Sequence, residues 1–319
     1  MAIAYPIFVW LVHVIANVTI GAAELPYSLA NFTANVVVNG ALLGLILASA
    51  AQFYLGAISD LHQLRPMLPG SDEDFARLTR DLPNLNQPLR GLLTIGGMCG
   101  GFAVATLDPN LQEQYSDVAA TDPRYIAYVA QNILFGALLT RLVATEVHLT
   151  RSYARLGERV EVDLLDLSKV LVFARKGLRS VVVWVLISSA FSLFWVLDSA
   201  GRVNIVLPAL VLVLVAVALV APTLGIHRSI RVAKTNELAL LAEAIRTERA
   251  SALAPRHADS PPEDARLGNL IQYQAFIKAI REWPFDLSIV SRAFLLIVLG
   301  AGSWLGGAVV ERLLNVLLD

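Results

Sequence analysis

Charged side chains are scarce in this sequence. Asp, Glu, Lys and Arg make up only 16% of its 319 residues, against about 25% in an average soluble domain. A water-soluble surface for a chain of this size needs more of them. The formal net charge is −1, so no basic field argues for nucleic acid as a partner. Cysteine is nearly absent too. With Cys99 alone, an internal disulfide and a cysteine-based metal cluster are both excluded. The motifs H-E-x-x-H, P-loop and G-x-S-x-G are missing. The histidines His13, His62, His148, His227 and His257 include no pair at metal-ligand spacing. The residues therefore give no reason to expect an enzyme, a cofactor or a metal. What is present is apolar: 56% of the chain, with a mean hydropathy of +0.62. The expected fold class is all-α, a polytopic bundle of transmembrane helices.

A helix crosses the hydrocarbon core with roughly 20 mostly apolar residues. Stretches 3–22, 36–58, 126–149, 178–197 and 204–226 meet that test, and a further one runs over about 287–310. No Lys or Arg precedes the first apolar run, so it reads as a retained helix and not a signal peptide. Stretch 91–107 is short and rich in small residues; it reads as a tightly packed span or a re-entrant segment. Six or seven spans follow, according to that one segment.

Basic residues favour the cytoplasmic side. Arg151, Arg155, Arg159, Lys169, Arg175, Lys176 and Arg179 crowd one connection, and Arg228, Arg231 and Lys234 follow the 204–226 stretch. Both regions are expected inside. The connection 108–125 carries Asp108, Glu113, Asp117 and Asp122 against Arg124 alone, which suits the outside. The expected organisation is then N-terminal transmembrane helices over 1–149 with a loop at 59–90. An interfacial elbow helix and two spans occupy 150–226, a cytoplasmic helical hairpin 227–284, and a last span 285–319. Trp283 and Pro284 close the hairpin, because Pro284 disfavours helical angles at Trp283 and Trp favours the headgroup level.

Candidate positions follow from what a bilayer tolerates. Gly96, Gly97, Gly100 and Gly101 interlock two small-xxx-small spacings, the pattern for close helix packing. Arg141 and Glu146 are charges at membrane depth, which face a bundle interior or pair at the interface. Asp163 and Asp166, three apart and followed by Lys169, read as interfacial anchors with a cation or ligand site as the sharper alternative. In the last stretch Ser288, Ser291, Arg292, Gly302, Ser303 and Gly306 are candidates for lining a pore or packing against neighbours.

The runs Val162-Asp163-Leu164-Leu165-Asp166-Leu167, Gly225-Ile226-His227-Arg228 and Ile280-Arg281-Glu282-Trp283-Pro284-Phe285-Asp286 carry a resemblance. So does Ser303-Trp304-Leu305-Gly306-Gly307 with Glu311-Arg312. With them the C-terminal half resembles a prokaryotic family of uncharacterised multi-pass membrane proteins. That resemblance implies no particular activity, and the expected location is a cell membrane, the bacterial inner membrane. The functional expectation is an oligomeric ion channel whose last helix lines the pore. The alternative is a non-transporting scaffold or complex subunit whose hairpin binds a cytoplasmic protein. Expected partners are the lipid bilayer, further copies of the chain, and in the second case that protein.

Overall fold

The computed structural model describes residues 29–107, 123–197, 206–253, 264–285 and 291–298. All regular structure among them is helical. The elements are α1 (Leu29–Leu64), α2 (Asp72–Asp81), α3 (Gln87–Leu107), α4 (Pro123–Gly157), α5 (Leu171–Leu197), α6 (Val206–Val220), α7 (Leu224–Leu253) and α8 (Asp264–Ala279), with a further helical stretch at 291–298. Single 3-10 turns at Arg65–Met67 and Ala221–Thr223 end α1 and join α6 to α7. Each holds a proline near its start, where the ring removes a helical donor and tightens the turn.

Among the described residues, four helical segments are long and apolar enough to cross a membrane: Val37–Met67, Gln87–Leu107, Tyr125–Gly157 and Val213–Ser251. The chain is therefore read as a membrane protein. At a rise of about 1.5 Å per residue, α3 spans roughly 30 Å, the thickness of a hydrocarbon core. Stretch 91–107 is thus part of a full-length candidate span. In α5, Arg175, Lys176 and Arg179 lie near the start, and Ser180 to Leu197 carry no charge. Residues 3–22 and most of 287–310 lie outside the described residues.

Helices α1, α4, α5 and α7 share one core. Leu42, Ile46, Leu61 and Leu64 meet Leu142, Leu149 and Tyr153, with Val172, Phe173 and Val181 from α5 and Ile226 and Ile230 from α7. Helix α3 lies along α4 and buries only Gly97, Gly101 and Ala105. Its Leu92, Ile95, Phe102 and Leu107 face outward, as do Leu55 of α1 and Val213 and Val217 of α6. Exposed aliphatic side chains on successive helices are unfavourable in water and natural against lipid.

Polar segments gather at one end of this sleeve. The Glu161 amide donates to the Met67 carbonyl at 3.0 Å, tying the α4–α5 connection to the turn after α1. Helix α2 starts on a capping box, in which Ser71 and Asp74 satisfy each other's backbone amides. The Ser71 hydrogen bonds hold the Asp74 carboxyl below its usual range. Helices α7 and α8 pack antiparallel, with Glu248–Arg266 near the tip and Glu237–Tyr273 at midway. A helical hairpin therefore exists.

The elbow expected after residue 150 takes another form. Helix α4 ends at Gly157, and residues 158–170 are turns and extended chain. The carboxylate of Asp163 accepts from the Leu165 amide at 2.8 Å and that of Asp166 from the Ser168 amide at 3.1 Å. Such local bonds offer the backbone an alternative to a helix. Val162, Leu164 and Leu167 still face the core, so the apolar pattern read as a helix face is served by a packed loop.

Candidate functional site

Four ionisable side chains meet between α1, α4 and α5, near the polar end of the bundle. On α4, Glu146 occupies the same stripe as Leu142, Leu149 and Tyr153; on α5, Lys176 falls between Phe173 and Ser180. Helical spacing carries both charges inward. The Lys176 ammonium donates to Glu146 Oε1 and Oε2 at 2.9 and 3.1 Å and to Ser180 Oγ at 2.7 Å. Its Nζ also lies 5.2 Å from the centroid of the Phe53 ring. Thr150 adds a hydrogen bond to Glu146 Oε1 at 3.2 Å. Glu146 is 5% exposed and Lys176 2%.

A second pair sits beside the first. Asp60, 3% exposed, accepts from the Tyr153 hydroxyl at 2.6 Å and from the Arg179 guanidinium. Gly56 lies one turn before Asp60, and a Cβ there would run into that guanidinium. Tyr153 stands edge-on to Phe173 at 6.1 Å and borders both pairs, since Lys176 lies 6.0 Å over its ring. Two acids thus face two bases in an aromatic and aliphatic setting. Taking such groups out of water costs several kcal/mol per ion, and attraction and hydrogen bonds must offset that. Once paired, they resist any movement of α1, α4 and α5 that separates them.

Of the residues singled out in the sequence, Glu146 alone belongs to this cluster. Arg141, on the same helix, is half-buried and makes no ion pair among the described residues. The two glycine spacings part ways. Gly97 and Gly101 press on α4, where a Cβ would strike the carbonyls of Gly136 and Asn132. Gly96 and Gly100 open on empty space. Asp163 and Asp166 are exposed, and their side chains serve the turns described above. The Ser168 hydrogen bonds lower the Asp166 carboxyl. Ser291 and Arg292 face outward while Ala293 is buried. Ser288, Gly302, Ser303 and Gly306 lie outside the described residues.

Trp283 and Pro284 close the foot of the hairpin. Trp283 stacks on His227 at 4.2 Å and on Phe285 at 5.8 Å, and Pro284 is buried. His227 Nδ1 meets the Glu282 carbonyl at 3.0 Å. The Lys234 ammonium donates to the carbonyls of Lys278 and Ile280 at 3.0 and 2.8 Å, satisfying the C-terminal end of α8. Further up, Tyr273 is raised by burial and by the neighbouring carboxylates of Glu237 and Asp163. Gly157 and Gly225 let α4 and α7 cross nearly backbone to backbone.

Asp60, Tyr153, Lys176 and Arg179 were not among the residues the sequence pointed to, because Lys176 and Arg179 read as orientation signals. A signal existed. Asp60 follows Phe53 and Ala57 on the buried stripe of α1, and Lys176 holds an apolar register position on α5. Among the described residues, no three His, Cys, Asp or Glu side chains group to hold a metal ion. No family model, curated protein or solved structure matches the chain.

Proposed function

We propose that this is an ion-conducting membrane protein, and that the paired cluster of Asp60, Arg179, Glu146 and Lys176 holds its conduction path shut. The burial of Asp60, Glu146 and Lys176 between three helices, with the half-buried Arg179 paired to Asp60, carries this reading. Ionisable groups at such positions mark ion pathways and moving elements more often than inert packing. Two complementary pairs lock α1, α4 and α5 in one arrangement, and their separation gives a second arrangement with polar groups facing the interior. Six or seven spans, with α5 and the 287–310 stretch among them, complete the bundle. The last helix, with Ser291 and Arg292 on its outward face, lines the path between copies of the chain.

The test bypasses the unknown stimulus. Purified protein in liposomes loaded with potassium chloride and a pH-sensitive dye is compared with Lys176→Met and Arg179→Met variants. The lock reading expects low flux from the natural protein and at least tenfold more from folded variants. Folded variants as tight as empty liposomes would set the reading aside. A second reading, a scaffold for a cytoplasmic protein, is favoured by Leu240, Ile271 and Phe276, large apolar side chains exposed on the hairpin. It gains if both variants stay tight.

A further inference from the structure

We infer that the foot of the hairpin is a binding surface for anionic phospholipid headgroups, built from Arg151 and Arg155 of α4, Arg228 and Arg231 of α7, and Arg281. The inference does not depend on the conduction reading. It begins with a change of character at one height on two helices. On α4 the outward residue Val147 is followed one turn later by outward Arg151; on the α6–α7 rod, outward Val220 and Leu224 give way to outward Arg228. The two helices are pinned together there. Ala154 and Gly157 meet Gly225 and Ile226, and the Ser229 hydroxyl donates to the Gly157 carbonyl at 2.8 Å. The apolar sleeve therefore stops, and arginine begins, at a single level.

The arginines also share a side. Arg228 contacts Glu158 at 2.6 Å. Arg155 and Arg151 lie three and seven residues before Glu158, on that same flank of α4, and Arg231 lies three after Arg228. Across α7, Arg281 adjoins Glu282, whose backbone meets His227. Trp283, 40% exposed and stacked on His227, stands beside them at the level where amphipathic rings settle. Nearby carboxylates engage only one of the five arginines. Glu158 is engaged by Arg228, and Glu282 lies 3.8 Å from Lys234. Arg151, Arg155, Arg231 and Arg281 are exposed and make no ion pair among the described residues. Each basic side chain near an anionic leaflet, arginine or lysine, adds about fivefold in affinity.

The full-length protein in neutral detergent is titrated with phosphatidylglycerol, phosphatidylcholine and soluble glycerol phosphate while its thermal midpoint is followed. Phosphatidylglycerol should raise the midpoint in a saturable manner that weakens with salt; the other two should not. Arg155→Gln/Arg231→Gln/Arg281→Gln should raise the half-saturating lipid concentration roughly a hundredfold. The matching triple lysine variant should bind nearly as well, as should Arg246→Gln/Arg249→Gln near the hairpin tip. An equal response to phosphatidylcholine, or an undiminished one in the glutamine variant, overturns the inference. So does loss in the lysine variant, or a response to glycerol phosphate alone.

Discussion

A buried ion pair makes its two residues depend on each other more than it stabilises the fold. If Lys176 is shortened to methionine, Glu146 keeps its burial but loses the ammonium, leaving only the Thr150 hydroxyl among its described partners. Removing one member of such a pair costs about 3–5 kcal/mol. Glu146→Leu alone strands Lys176 in the same way, while the double variant Glu146→Leu/Lys176→Met removes both charges and should recover at least half of the summed loss. Reversible unfolding of the purified protein in mixed detergent micelles measures this. Strictly additive losses would mean that the two side chains do not interact. At this scale the sequence was only half legible. Glu146 stood out as a charge within an apolar run, but its partner is 30 residues away. Spacing along one helix cannot tell which neighbouring helix supplies the counter-charge.

Among elements, α3 shows how small residues set an interface. Its crossing with α4 pairs Gly97 with Gly136 and Gly101 with Asn132, so an antiparallel contact runs through backbone atoms. Gly97→Leu should therefore destabilise by about 1–3 kcal/mol or prevent folding, because backbone cannot yield as a side chain can. Gly100→Leu enters open space and should change the thermal midpoint little. Equal losses in the two variants would place a further contact against the outer face of α3. The spacing of four glycines identified close packing in the sequence. It left open which pair makes contact, since the two sets lie 100° apart on the helix and differ only in what surrounds them. The α4–α5 connection departs from the expected helix for a different reason. Apolar residues at helix-like intervals also suit a loop that packs alternate side chains, and the turn-forming aspartates Asp163 and Asp166 decide between them.

For the molecule as a whole, the contacts make the orientation of one segment fix the rest. The antiparallel crossing of α3 with α4 puts the start of α3 near the end of α4, and the Glu161–Met67 bond brings the end of α1 to the same place. Helix α2, the 158–170 connection and the hairpin thus share one end, while the connection 108–122 joins the opposite ends of α3 and α4. The membrane class was legible in the sequence, since it follows from long apolar runs, but the side of the 59–90 loop was not, because it depends on whether the 91–107 stretch spans. Which end carries the arginines predicts which end is cytoplasmic. Single cysteines in place of Glu73, Asn236 and Ser116, in a background with Cys99→Ala, report this on intact cells treated with a membrane-impermeant thiol reagent. Glu73 and Asn236 are exposed, so protection there cannot come from burial in the fold. Labelling at 116, with labelling at 73 and 236 only after permeabilisation, is the expected outcome. The reverse pattern would invert the orientation while leaving the shared end intact. Labelling of 73 without 236 would contradict their placement at one end of the bundle, because that end cannot face both compartments.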